Sequence, residues 1–231
     1  IPINMARNVS VQLIANGRVT RAYMGVVPQE LTSELADGLG IAIGRGILVA
    51  HVESGGPAEK AGLRTKDIIT EIDGQPVEEV NRFRRFVAEA PVGHLALLTV
   101  FRDGQVVTRQ VELGPRPDDR PEAQTGTPST VPLPTEWLGA RIEPMTREMA
   151  DGWQVGFEPG LAVTGVEPGS PAEEAGLGEG DIVREVNDRA VLTIDDWRQA
   201  ILAARGRTRP LVLLVSRGGV VSYLAIRVVG R

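Results

Sequence analysis

A serine close to a histidine is the first pattern in this sequence that could do chemistry. His51 lies three residues before Ser54, and two glycines and a proline follow the serine. Nucleophilic catalysis by serine requires a base and an orienting acid in a set geometry. His51 lies near one end of the same short predicted strand, where it is poorly placed to activate Ser54. We therefore interpret residues 54–57 as a strand-to-helix turn without a catalytic role.

Two glycine motifs could instead bind an anion. Each consists of an aromatic residue, an apolar residue, a glycine and a small apolar residue. The motifs are Tyr23, Met24, Gly25 and Val26, and Trp137, Leu138, Gly139 and Ala140. A glycine at this place lets neighbouring backbone N–H groups turn toward one point, and such a nest of amides binds a carboxylate. Taken alone, the motif also fits a plain first strand with a packing glycine.

Both motifs belong to an internal repeat with a spacing of 114 residues. Residues 55–63 return as residues 169–177, and Asp67-Ile68-Ile69 returns as Asp181-Ile182-Val183. Because the offset also relates Gly25 to Gly139, the register holds across most of each repeat. A constant register indicates one fold used twice rather than chance similarity.

Each repeat is predicted to be a small α+β domain. In the first repeat the strands span residues 46–53, 68–72, 95–101 and 106–113, the helices 57–61 and 79–90, and the hairpin turns 73–74 and 103–104. Both turns are Asp-Gly pairs, which favour two-residue hairpins. Val80, Phe83 and Val87 share one helix face. The second repeat follows the same order, with a helix at 194–204 and a hairpin turn at 218–219.

The repeat divides the chain into four parts. Residues 1–22 lie outside the repeat and include a predicted helix, residues 23–114 and 137–231 are the two domains, and residues 115–136 join them. The joining segment and its flank, residues 114–136, contain six prolines. Proline fixes φ and removes a backbone donor, so this segment is predicted to be an extended, semi-stiff linker.

The linker gives the first testable prediction. Limited digestion by an added protease should cut within residues 114–136 first and release two folded domains, because this stretch lacks apolar periodicity. Mass spectrometry of the early products would locate the cuts. Early cuts within residues 46–113 would show that the predicted domain boundaries are wrong.

Composition excludes several other functions. The net charge is −5 and basic residues are scattered among acidic ones, so no nucleic-acid surface is expected. The chain has no cysteine and two histidines, which argues against a metal site or any other cofactor. No apolar run reaches the length of about 18 residues that a membrane-spanning helix needs.

These motifs together resemble the C-terminal part of the HtrA/Deg family of trypsin-like serine proteases. The glycine motif at residues 23–26 resembles the family's carboxylate-binding loop, and residues 57–63 with 67–69 resemble its most recognisable PDZ segment. The resemblance implies two PDZ domains, each a partly open antiparallel barrel or sandwich capped by helices in the circularly permuted bacterial order. It also implies that residues 1–22 are the last helix and connector of a protease domain that precedes Ile1.

The resemblance implies peptide-binding roles for matching positions. They are Tyr23, Met24, Gly25, Val26, Arg84 and Val87 in the first domain, and Trp137, Leu138, Gly139, Ala140, Arg198 and Ile201 in the second. Arg84 with Val87, and Arg198 with Ile201, are three apart and so share a helix face. Ala140 is smaller than the family's usual residue, and Trp153 adds bulk near the expected groove. We therefore expect the second domain to bind more weakly.

The function implied by the resemblance is recognition of peptide or unfolded-protein C-termini by strand addition, in support of periplasmic protein quality control. Catalysis would belong to the protease domain of the parent protein. The resemblance also implies that the full-length protein is a homo-oligomer, since subunit contacts in the family come largely from the protease domain. The alternative is a structural role, in which the PDZ domains mediate contacts between subunits. A third interpretation, peptide hydrolysis by this chain itself, lacks a credible triad.

Overall fold

The computed structural model describes residues 22–116, 138–204 and 208–227. Within it the chain divides into two compact units, residues 1–31 with 45–120, and residues 32–44 with 121–231. Each unit is described by itself. The predicted helix within residues 1–22 and almost all of the predicted linker lie outside the described residues, so the domain boundaries stay a prediction.

Short strands and helices alternate between residues 22 and 116. In chain order they are β1 (Ala22–Tyr23), β2 (Val26–Glu30), α1 (Ser33–Leu39), β3 (Ile47–Val52), α2 (Pro57–Lys60), β4 (Ile68–Ile72), β5 (Gln75–Pro76), α3 (Val80–Glu89), β6 (Leu95–Arg102), β7 (Gln105–Glu112) and β8 (Gly114–Pro115). The antiparallel sheet of the first unit has the order β2-β3-β4-β6-β7, with β5 paired to β4. A separate two-stranded sheet joins β1 to β8. The α1 segment is grouped with the second unit.

The two predicted Asp-Gly hairpins are confirmed. Asp103 and Gly104 join β6 to β7 with φ values of +50° and +80°. Asp73 and Gly74 join β4 to β5 with φ values of +49° and +74°. Positive φ at both central residues defines the turn whose twist matches that of the flanking strands, and Asp-Gly adopts it at low cost.

The predicted amphipathic helix is also confirmed, as α3. Its inward face carries Phe83 and Val87, which are buried, and Val80 packs against the same core. These side chains meet alternate residues of the sheet, including Val49 of β3 and Leu98 of β6. The core of the first unit therefore lies between the sheet and α3, as the spacing of three and four residues predicted.

The second unit repeats the sheet of the first. Its elements after residue 137 are β9 (Ala140–Pro144), α4 (Arg147–Trp153), β10 (Leu161–Val166), α5 (Pro171–Glu174), β11 (Ile182–Val186), β12 (Arg189–Ala190), α6 (Ile194–Ala204), β13 (Leu211–Arg217) and β14 (Val220–Ile226). The strand order is β14-β13-β11-β10-β9, with β12 paired to β11. The predicted helix at 194–204 and hairpin at 218–219 are both present.

The two faces of the second sheet carry different apolar clusters. Leu161 and Val163 of β10 face the main core, where Trp197 and Ile201 of α6 are almost fully buried. Ala162 belongs to a smaller cluster that also contains Trp153. Because successive side chains on a strand point to opposite faces, Trp153 packs on the face of the sheet opposite α6.

A buried ion pair stabilises residues 57–69 of the first unit, which include the segment that resembles PDZ domains most clearly. The Asp67 side chain is 1% exposed, and its two carboxylate oxygens accept hydrogen bonds of 2.7 Å each from Nε and Nη2 of Arg102. The same guanidinium donates to the Gly62 carbonyl, and Asp67 also accepts from the Arg64 N–H. Hydrogen bonding to Asp67 raises the pKa of Arg102 above its usual value. This arrangement fixes the turn after α2 against the end of β6.

The second unit contains the same device. Asp181 is fully buried and accepts hydrogen bonds of 2.6 and 2.7 Å from Nε and Nη2 of Arg217. Arg217 also donates to the Gly176 carbonyl, and Asp181 accepts from the Gly178 N–H. The sequence repeat contains both aspartates, but the arginines lie 35 and 36 residues away, where no local pattern connects them to the aspartates. The pair therefore belongs to the fold and not to a ligand site.

Candidate functional site

An open sheet edge next to a helix marks the candidate site of the first unit. Among the strands that the structure describes, β2 is the terminal one of its sheet and pairs with β3 alone. α3 packs close to β2, so the helix lies beside the strand edge. The glycine motif at residues 23–26 leads directly into β2. An extended peptide could therefore add to the edge with its end at the loop.

The loop at the start of β2 has the properties of an amide nest. The carbonyl oxygens of Met24 and Gly25 accept hydrogen bonds from the N–H groups of Ala58 and Glu53, at 2.8 and 2.9 Å. The N–H groups of Met24 and Gly25 have no acceptor among the described residues. Gly25 has a φ of +85°, which residues with a side chain rarely adopt. The loop carbonyls are hydrogen-bonded within the domain, whereas its N–H groups can still donate. This arrangement favours binding of an anion at the loop.

Two side chains of the loop serve to anchor it. Met24 is 2% exposed and packs in the core of the unit. The Tyr23 hydroxyl donates a hydrogen bond to the carboxylate of Glu53, whose own N–H already binds Gly25. Glu53 was not identified from the sequence, since nothing in its local pattern marks it. The loop is thus held from both sides before any ligand arrives.

The two helix positions predicted for this site lie in different environments. Arg84 is exposed on α3, whereas Val87 is 9% exposed and belongs to the core. Val26 is half-buried and packs against the same core. A ligand side chain entering between β2 and α3 would therefore meet an apolar floor, with Arg84 on the solvent side of the helix.

The second unit has a similar loop, in which the glycine has less space around it. The carbonyls of Leu138 and Gly139 accept hydrogen bonds from the N–H groups of Ala172 and Glu167, as in the first unit. Leu138 and Gly139 have φ values of +67° and +79°. A Cβ atom added at Gly139 would lie 2.1 Å from Cβ of Ser170. This loop leads into β9, again a terminal strand, beside α6.

The remaining predicted positions of the second unit differ in exposure. Ala140 is 5% exposed and Ile201 is 1% exposed, and both belong to the core. Arg198 is exposed and forms an ion pair of 3.0 Å with Asp195. Trp137 lies outside the described residues. Trp153 packs on the other face of the sheet, so its bulk does not fill the groove between β9 and α6.

The serine near His51 has a structural explanation. The Ser54 hydroxyl is 3.4 Å from one carboxylate oxygen of Glu59, and the Gly55 N–H donates to the other at 2.6 Å. The second unit repeats this contact, from the Gly169 N–H to Glu173 at 2.6 Å. The glutamate therefore closes the turn before each short helix. His51 is exposed on β3.

The structure also bears on metal and membrane binding. Within residues 22–116, 138–204 and 208–227, no cluster of three or more His, Asp or Glu side chains could hold a metal ion. Over the same ranges, no helix combines the length and apolar character needed to cross a membrane.

Comparison with protein families identifies the fold of both units. The PDZ domain family matches residues 22–113 through one model and residues 162–215 through another. Both units are PDZ domains. The predicted α+β fold class is confirmed, and in neither domain do the described strands close into a barrel.

Relatives of known class are similar to the whole tandem. A probable periplasmic DegP-like serine endoprotease of Chlamydia trachomatis is 31% identical over 98% of this chain and 44% of its own length. The counterpart in Brucella suis is 34% identical over 93% of this chain and 40% of its own length. The solved HtrA-type protease AlgW with decapeptide is 38% identical over 52% of this chain and 37% of that chain, with a TM-score of 0.47. The DegP-like relatives and the two PDZ matches confirm the resemblance to the tandem PDZ region of HtrA/Deg proteases. The chain spans less than half the length of these curated relatives.

Proposed function

We propose that this tandem binds the C-termini of peptides or unfolded proteins by strand addition to β2 and β9. The carboxylate would sit on the backbone N–H groups of the glycine loops, and the last side chain would enter the groove beside α3 or α6. The observation that carries the proposal is the loop at Met24 and Gly25. Its carbonyls are tied into the domain, while its N–H groups have no acceptor among the described residues.

The similarity to DegP-like endoproteases supports a place for this function in a larger protein. We propose that the tandem regulates or feeds a trypsin-like serine protease domain in protein quality control and the stress response. The relatives' names support a periplasmic location. We further propose a homo-oligomeric parent, with the protease domain and exposed C-termini of client proteins as partners.

One titration separates peptide recognition from the alternative of a structural role. A ¹⁵N-labelled chain is titrated with a peptide that ends in an apolar residue, and the amide resonances of Gly25 and Gly139 report on the two loops. Light scattering on the same samples follows self-association. Shifts at either glycine with an unchanged mass support peptide binding. A mass that rises with protein concentration, without shifts at either glycine, supports the structural role.

The chain itself should not hydrolyse protein, and Ser54→Ala should change nothing. The reason is that Ser54 lies beside Glu59 in a turn and forms no hydrogen bond with a histidine among the described residues. Release of labelled peptides from casein measures this, with trypsin as the positive control. Casein cleavage that disappears with Ser54→Ala would contradict the proposal, whereas cleavage that survives the substitution points to a contaminating protease.

A further inference from the structure

The pairing of β2 with β3 decides which backbone groups face a ligand. In an antiparallel pair, residues that exchange hydrogen bonds alternate with residues whose N–H and C=O point away from the partner strand. The Glu53 N–H binds the Gly25 carbonyl and the Leu31 N–H binds the Gly46 carbonyl, so the carbonyl of Gly25 and the N–H of Leu31 face β3. A bulge in the β3 register after residue 27 leaves the alternation along β2 intact.

The open edge of the first domain is therefore formed by Val26, Pro28 and Glu30. Val26 and Glu30 each offer an N–H and a carbonyl. Pro28 offers its carbonyl alone, since its ring nitrogen carries no hydrogen. A ligand with its carboxylate at the loop would run antiparallel to β2. Its last residue would pair with Val26, its third from last with Pro28 and its fifth from last with Glu30.

The second domain has the same alternation with the proline elsewhere. The Glu167 N–H binds the Gly139 carbonyl at 2.7 Å, and the Met145 N–H binds the Gly160 carbonyl at 2.9 Å. The open edge of β9 is thus formed by Ala140, Ile142 and Pro144, again past a bulge on the partner strand. Here the missing donor falls two residues farther from the loop.

We propose that Pro28 is a specificity-determining residue that withholds a main-chain donor from the third residue from the ligand's C-terminus. The second domain pairs fully with the last three residues and lacks a donor, at Pro144, only for the fifth. This inference rests on the strand-addition site proposed above. A buried ligand carbonyl without a donor weakens binding, so the first domain depends more on the carboxylate and the last side chain.

The two prolines predict gains of different size when the ligand is lengthened. Extending an acetylated tripeptide to an acetylated hexapeptide adds both hydrogen bonds of Glu30 in the first domain. In the second domain the same extension adds only the bond to the Pro144 carbonyl. The hexapeptide should therefore gain more affinity over the tripeptide at the first site than at the second.

The test restores the missing donors one at a time in the full chain. Pro28→Ala should lower the Kd at the first site about three- to tenfold for both peptides, which is the net worth of one hydrogen bond. Pro144→Ala should do so at the second site for the hexapeptide only. The resonances of Gly25 and Gly139 assign each Kd to its domain. Pro76→Ala, on the exposed strand β5, is the matched control and should change neither Kd more than twofold.

The backbone amide that Pro28→Ala introduces gives a second readout, which folding changes alone would not produce. On peptide binding the proton of this new amide should shift downfield and become protected from exchange with water. A Kd within twofold of the unsubstituted chain, with a new amide that stays unprotected, would overturn the proposal, whereas shifts of Gly25 in the same titration would leave carboxylate binding at the loop standing. Failure of both the unsubstituted chain and Pro28→Ala to bind at Gly25 would overturn the function proposed for the first domain together with this inference. The Pro28 variant decides the proposal by itself, whatever the second domain binds.

Discussion

A peptide that ends in a free carboxylate should bind the first domain about 10- to 150-fold more tightly than its C-terminally amidated form. Hydrogen bonds to a charged group contribute roughly 1.5–3 kcal/mol, which corresponds to that change in Kd. The proposed donors are the N–H groups of Met24, Gly25 and Val26. Isothermal titration calorimetry with the two peptides measures the difference. Equal affinities would show that the loop does not bind the carboxylate.

The backbone at Gly25 offers a second test of the same loop. Gly25→Trp should abolish binding, because its Cβ would already touch the Gly56 Cα and the Pro57 Cδ at 3.4 Å, and the indole beyond it would displace the loop. The matched control is Gly104→Trp, at a hairpin glycine with a similar φ of +80° and nothing within 4 Å of an added Cβ. Both variants carry the same backbone strain, but the control should still bind. Equal loss of binding in both would mean that strain, and not the loop, is responsible.

Gly139 serves poorly as the comparison for Gly25. A Cβ atom there would lie 2.1 Å from Cβ of Ser170, which begins α5 and accepts a hydrogen bond from the Glu173 N–H. The equivalent residue of the first domain is Gly56, which leaves more room. Substitution at Gly139 should therefore disturb the fold of the second domain as well as its loop.

Arg217→Ala should destabilise the second domain by about 3 kcal/mol. Removing one partner of a buried ion pair leaves an uncompensated charge and costs roughly 3–5 kcal/mol. Asp181 is fully buried, but the Arg217 side chain is 59% exposed. Water can therefore reach the carboxylate after truncation, which places the expected loss at the lower end of that range.

Urea unfolding followed by tryptophan fluorescence measures this loss, because all three tryptophans lie in residues 137–231. Arg198→Ala is the matched control: it makes the same change in the same domain, but breaks an exposed ion pair with Asp195. Exposed pairs of this kind contribute about 0–1 kcal/mol. Similar losses of unfolding free energy for Arg198→Ala and Arg217→Ala would show that the buried pair stabilises the domain no more than the exposed pair does.

Features that depend on local chemistry could be predicted from the sequence. The repeat, the amphipathic helix α3 and the Asp-Gly hairpins follow from spacing and from residues that tolerate positive φ. The glycine loops were predicted for the same reason, since Gly25 and Gly139 both adopt that conformation. The assignment of the loops to ligand binding stays a prediction.

Features that depend on residues distant in the chain could not be predicted and became visible in the folded structure. Arg102 and Arg217 reach Asp67 and Asp181 because β6 and β13 lie next to β4 and β11. Trp153, expected near the groove, packs on the far face of its sheet because α4 is placed there.

The direction of the Pro28 backbone is the most consequential of these features. A proline in a strand is visible in the sequence. Whether its missing N–H affects ligand binding depends on the pairing phase of the strand, that is, on which of its residues face the partner strand and which face the open edge. That phase is set by contacts between β2 and β3, past a bulge, and shifting it by one residue would turn Pro28 toward β3. Local sequence cannot encode this choice, because it is a property of two strands and not of one.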